Sequence, residues 1–169
     1  MSRFIIGDLE GFTPQIARLV SMMAYTRQTT VDAVQGLSVD DLDWLHDNSS
    51  NSIGALLAHI AAVEVAYQVD TVGVDERALR GREAALDLGD RARKEIRGRS
   101  LIDCVEDLES VRATTLRELG KRDDRWLYEE SPFWEGKPAN NYFKWFHVFE
   151  DELNHRGQIR FLVKRLPRR

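Results

Sequence analysis

The residues able to do chemistry in this chain are few and unevenly placed. It has four histidines, His46, His59, His147 and His155. His59 interrupts the apolar run Leu56-Leu57-Ala58-His59-Ile60-Ala61-Ala62-Val63, where a titratable ring is costly to bury unless something pairs with it. His147, Asp151, His155, Gln158 and Leu162 follow one another at steps of four, four, three and four. At 3.6 residues per turn they fall on a helical stripe about 80° wide. Asp151 and His155, four apart, point the same way, so the pair is able to hold one cation between them. Imidazole and carboxylate together suit a borderline divalent ion such as zinc, nickel or manganese. The spacing alone fits equally an Asp–His pair on a helix surface, worth a few tenths of a kcal/mol, and His59 alone fits a hydrogen-bonded core histidine. His46 lies in the acidic stretch around Asp40, Asp41, Asp43 and Asp47 and reads as a solvated turn residue. Cys104, the single cysteine, reads as a small buried apolar residue, since no second nucleophile motif accompanies it.

Four segments must position these groups. Thr13-Pro14 opens a first helix over about 13–35, with Thr as N-cap and Pro where a missing N–H costs nothing. Ile16, Leu19, Val20, Met23, Val31 and Val34 form its stripe. The linker 37–50 has a turn and cap composition. A second helix starts near Ser52 and runs to about Val72, burying Ile53, Leu56, Leu57, Ile60, Val63 and Tyr67. Segment 73–99, broken by Gly73, Gly81, Gly89 and Gly98, is expected to wrap the surface with one or two short helices. Ser100 and Asp103 resemble a capping box opening a third helix over about 100–120. A fourth runs from Asn140 or Asn141 to about Arg165, stopped by Pro167, with Phe143, Phe146, Phe149, Leu153, Phe161 and Leu162 as its apolar residues. Four amphipathic helices without period-two alternation predict an all-α, antiparallel four-helix bundle, one domain over 1–169.

Composition bounds the rest. The 169 residues are 43% hydrophobic and 31% charged, enough for one full core. With a net charge of −4 and interleaved signs, nucleic acid is not an expected partner. Arg160, Lys164, Arg165, Arg168 and Arg169 read as a helix C-terminus complementing its dipole. No uninterrupted apolar run reaches membrane-span length, so no membrane association is expected. The start, Met1-Ser2-Arg3-Phe4-Ile5-Ile6, lacks the pattern of a secretory signal, and with one cysteine the expectation is a cytoplasmic protein.

The connection between the third and fourth helices carries Trp126, Tyr128, Phe133 and Trp134. Large aromatic side chains in a loop need an apolar surface to cover. They either plug one end of the core or wall a cavity, with Trp134 or Tyr142 bordering the approach to His147.

The segment His147-Val148-Phe149-Glu150-Asp151-Glu152-Leu153-Asn154-His155-Arg156-Gly157-Gln158-Ile159 resembles the last-helix signature of the DinB-like superfamily, in which histidines separated by three residues lead into Arg-Gly-Gln. Asn51-Ser52-Ile53-Gly54-Ala55-Leu56-Leu57-Ala58-His59-Ile60 is similar to that family's second helix, whose His is a third ligand. The resemblance implies a four-helix bundle with a divalent metal held by His59, Asp151 and His155. Asp151 stands where the family usually has histidine, and His147 is a candidate substitute ligand or supporting partner. Similar proteins include metal-dependent transferases that use a small thiol, such as mycothiol-dependent maleylpyruvate isomerases and bacillithiol transferases. The resemblance therefore implies a transferase or hydrolase acting with a small thiol, or a non-catalytic metal- or ligand-binding bundle. It also implies a homodimer, to which Ile5, Ile6, Met22 and Tyr25 at the edge of the first helix add weak support.

Overall fold

The computed structural model describes residues 4–167. Met1, Ser2 and Arg3 of the leader reading, and Arg168 and Arg169 of the basic end, lie outside the described residues. Four long helices, α1 (Pro14–Val34), α3 (Ile53–Val72), α6 (Leu101–Leu119) and α7 (Asn141–Val163), form the bundle, with short α2 (Val39–Asp43), α4 (Glu83–Asp87) and α5 (Gly89–Glu95) between them. Helix α3 packs on α6 and α7, and α1 packs on α7 and α6, so the four close around one interior. The all-α expectation holds, and the four long segments begin and end within two residues of where caps and periodicity put them.

The caps explain the boundaries. The Ser52 hydroxyl accepts from the amide of Ala55, Ser100 and Asp103 form a reciprocal capping box, and Asn140 accepts from Phe143. At α1 the device is tertiary. Thr13 occupies the N-cap position, but its hydroxyl donates to Asp124, whose Oδ1 also accepts the amides of Gln15 and Ile16 at 3.0 and 3.2 Å. A carboxylate from the α6–α7 connection thus satisfies the free amides and complements the dipole of a helix over a hundred residues away.

Helix α3 is by length and composition apolar enough to cross a membrane. Here it is the central helix, buried on nearly all sides, with Ala58 and Ala62 small enough to let Ala85 of α4 pack against them. Cys104 is buried in the core beside Leu108 and Ile159, and burial pushes its thiol pKa up, as its reading as a small apolar residue requires.

Two expectations need correction. The 120–140 connection contains a short antiparallel hairpin, β1 (Glu130–Pro132) with β2 (Pro138–Asn140), pairing Ser131 with Ala139. Three-residue strands are too short to announce themselves by alternation. On α7, Phe143, Phe146 and Phe161 are exposed, and the core face is Trp145, Val148, Phe149, Glu152, Ile159 and Leu162, with Lys144 also buried. Apolar residues surround this helix, so periodicity does not single out the buried face. Two charged side chains that look like surface are inside because they are paired.

The pairing of Glu152 ties the bundle together. The Arg27 guanidinium of α1 donates to both carboxylate oxygens of Glu152 at 3.0 and 3.1 Å and to Glu64 of α3 at 2.9 Å. Arg112 of α6 donates to Glu64 at 2.7 and 3.2 Å, and its Nη2 lies 3.5 Å from Glu152. Each arginine uses a remaining N–H on a backbone carbonyl, Leu108 for Arg27 and Met23 for Arg112, and Thr115 donates to Glu64. Two guanidinium and two carboxylate groups, one from each long helix, therefore neutralise one another with their hydrogen-bonding capacity largely used, the condition under which buried ions are tolerated.

Candidate metal centre

His59 projects from the middle of α3 toward α7, where Asp151 and His155 sit one turn apart. One ligand atom from each of the three lies within 4.8 Å of the other two. The His59 Nε2 is 3.7 Å from Asp151 Oδ2, and the His155 Nε2 is 3.3 Å from Asp151 Oδ1. The two imidazoles meet edge to face with centroids 4.6 Å apart. All three side chains are largely buried, so the cluster is at the bundle's flank rather than on open surface.

The donor set fits a divalent ion. The Nδ1 of His59 lies 2.7 Å from the carbonyl oxygen of Ala85. A carbonyl only accepts, so Nδ1 carries a proton, and in the neutral ring Nε2, which faces Asp151, is the nitrogen with the free lone pair. Asp151 Oδ2 is buried without a hydrogen-bond partner. A buried carboxylate oxygen left unpaired is expensive, and a cation between it and the two Nε2 atoms is the group that would satisfy it. Burial raises the Asp151 pKa, but the two histidines outweigh that and hold it below its ordinary value, so the carboxylate is charged at neutral pH. Burial lowers the His59 pKa, and its contacts with Asp151 and Ala85 reverse the sign.

His147 does not join the cluster. Its Nδ1 is 3.0 Å from Glu150, and its ring stands edge-on to Trp134 at 5.0 Å and to Tyr67 at 5.9 Å, and is stacked on Phe143 at 6.3 Å. Gln158 is exposed, outside the three-residue cluster, and lines a cleft with Asn154 and Phe161. His46 is exposed and packs against Trp44 and Phe161.

The aromatic connection divides its labour. Trp126, 6% exposed, and Leu127 are in the core and close its end, while Trp134 is 61% exposed. Phe133 and Trp134 stack on each other and, with Phe143, line an open cleft of about 560 Å³ whose other walls include Glu130, Lys137 and Asn140. Buried Lys144 fixes this wall: its Nζ bonds Asp70 and Ser131, each at 2.7 Å, and lies 5.5 Å from the centre of the Phe133 ring. Behind this wall the His147 ring meets both Trp134 and Tyr67 edge-on. Burial, then the charges of Asp151 and Asp70, push the Tyr67 pKa up, so its hydroxyl keeps its proton. The sequence marked Tyr67 as core only; its place a little over two helix turns beyond His59 was the available signal.

Among solved structures, the chain is similar to a DinB-like protein from Bacillus cereus ATCC 10987, with a TM-score of 0.68, 15% identity, and coverage of 88% of this chain and 90% of that one. At that identity the likeness establishes the fold, which is DinB-like. No curated protein matches the chain. The family model for mycothiol-S-transferase matches residues 18–166, a span that holds α1 from Arg18 onward, the whole of the other three long helices, and His59, Asp151 and His155, and the chain belongs to that family.

Proposed function

We propose that the protein is a divalent-metal-dependent transferase that joins a small thiol to an electrophilic substrate. The observation that carries this reading is the convergence of His59, Asp151 and His155 with a buried carboxylate oxygen left unpartnered between them. Membership of the mycothiol-S-transferase family supports a small thiol as one of the two reactants. Zinc, nickel or manganese suits the two imidazoles and one carboxylate. When bound, such an ion lowers the pKa of a coordinated thiol, so that thiolate is available at neutral pH. Asp151 contributes negative charge, and His59 is held in its ligating tautomer by the Ala85 carbonyl. The protonated Tyr67 hydroxyl is a hydrogen-bond donor beside the site. Phe133, Trp134 and Phe143 offer the electrophile an apolar wall, and Lys144 holds that wall by its bonds to Asp70 and Ser131.

The test is metal analysis of untagged protein, followed by thiol conjugation to a haloalkane bimane reporter. About one divalent ion per chain and conjugation that disappears in a folded His155→Ala protein support the reading. Folded wild-type protein that takes up no zinc, nickel or manganese rejects it, and leaves Asp151 as a carboxylate bridging two histidines without an ion.

The same reading includes pairing of two copies. Ile5, Ile6 and Tyr25 are exposed, and Phe4, Ile6, Met22, Tyr25, Phe149 and Leu153 line an apolar cleft of about 340 Å³ between α1 and α7. Light scattering giving about twice the chain mass of 19.4 kDa supports it, and the single-chain mass rejects it.

A further inference from the structure

On the side of α3 that faces α4 there is a second cavity, of about 420 Å³, whose floor is Ala58 and Ala85 and whose walls carry Arg80, Arg82, Arg97 and Arg99. The four arginines come from two Arg-Gly-Arg tripeptides, 80–82 and 97–99, one before α4 and the other after α5. In both, the glycine is in the left-handed region, φ +78° at Gly81 and +72° at Gly98, a conformation that any side chain would strain. The same turn chemistry thus occurs twice, separated in sequence by two helices, and both copies open on one cavity.

The acids nearby do not balance these charges. Glu95 and Asp107 are the carboxylates lining the cavity. Asp107 is shared, taking two bonds from Arg82 at 2.7 and 3.2 Å while Arg99 stands 3.6 Å away. Glu95 is held by Arg91 at 3.1 Å. Arg97 comes no nearer than 3.8 Å to Asp43, whose carboxylate also accepts the amide of Gly98. The Arg80 side chain has no ion pair or hydrogen bond among the described residues. In a chain of net charge −4, a cavity with four guanidinium groups and two carboxylates, both already engaged, is a local field of the opposite sign. Its volume is within the range of about 300–1,000 Å³ of small-molecule sites. Guanidinium groups pair bidentately with phosphate and carboxylate oxygens, a geometry lysines do not offer.

We propose that the cavity between the two Arg-Gly-Arg turns binds a small molecule with two or more negative charges on phosphate or carboxylate oxygens. Arg82 and Arg99, anchored on Asp107, form the fixed side of the site. Arg80 and Arg97, exposed and little engaged, are the arms that close on the anion. The site is separate from the proposed metal centre, which opens on the α7 side of α3, although the Ala85 that lines its floor is also the residue whose carbonyl holds His59.

The test uses metal-free full-length protein at constant ionic strength, because screening would otherwise imitate weak binding. Pyrophosphate and inorganic phosphate form one arm and citrate and malonate the other, each titrated by calorimetry and followed by amide chemical shifts. Saturable binding in either arm, with shifts concentrated in residues 80–107, is the expected result, and the arm that saturates at lower concentration identifies the oxyanion. The double variant Arg80→Ala/Arg97→Ala, at exposed positions, weakens binding about tenfold or more with an unchanged circular dichroism spectrum. His155→Ala leaves the affinity as it is. Absence of saturable binding in both arms, equal affinity in the double variant, or loss of binding in His155→Ala overturns the proposal.

Discussion

The Nδ1–H of His59 donates to the backbone carbonyl of Ala85 at 2.7 Å, so a five-residue helix in the α3–α6 connection decides which nitrogen of a central-helix histidine is free. That nitrogen points at Asp151. An Asp151→Asn substitution preserves the shape of the side chain and removes its charge. Its expected effect is a loss of zinc affinity of about a hundredfold or more, read by competition with a chromophoric chelator, with thermal stability of the metal-free protein little changed. Unaltered affinity would remove Asp151 from the ligand set.

The Arg27–Glu64–Arg112–Glu152 cluster predicts a large penalty for breaking and a small one for replacing. Arg112→Met leaves Glu64 with less than its counter-charge in a dry interior and costs about 3–5 kcal/mol in urea unfolding. Substituting all four by apolar residues of similar volume recovers most of that loss. If Arg112→Met costs no more than a surface substitution, the cluster is not the clamp its geometry describes.

Acid should weaken the fold through Glu64. Burial raises the pKa of its carboxyl, but Arg112 and Arg27 outweigh this and bring it from the ordinary 4.5 down to about 2. Because the unfolded chain takes up the proton first, the stabilisation is complete above pH 4.5 and is lost as pH falls from there toward 2. Unfolding midpoints measured over that window drop for the wild-type protein, and Glu64→Gln shows a flatter profile. Parallel profiles count against the assignment.

Two tryptophans of one loop should behave oppositely. Trp126→Ala opens a cavity at the end of the core and costs about 3–5 kcal/mol. Trp134→Ala removes an exposed ring, costs less than about 1 kcal/mol, and weakens binding of an apolar electrophile while leaving metal content intact. The pair is checked by melting temperature and by the KM of thiol conjugation. A large stability loss at Trp134 would make it part of the plug.

The sequence alone determined the four long helices and the candidate ligands. Ser52, Ser100 and Asn140 start helices because each hydroxyl or amide oxygen satisfies an amide three residues on, a local bond that needs no tertiary context. Asp151 and His155 share a face because helical geometry alone puts residues four apart side by side, and His59 was conspicuous because it broke an apolar run. Everything that depended on which surfaces meet was decided only by the tertiary structure. The faces of α7 could not be ranked, because apolar residues surround it and the charges of Lys144 and Glu152 are hidden by partners on other helices. The cap of α1 is supplied by Asp124, and the pairing of Arg27 with Glu152 spans 125 residues. His147, in register with Asp151 and His155, is instead held by Glu150 and the aromatic rings around it, since a helix sets a side chain's direction but only packing sets what it meets. The two Arg-Gly-Arg turns are adjacent for the same reason: the chain wrapped over α3 folds back on itself, and that closure is a property of packing against Ala58 and Ala62, which local sequence does not encode.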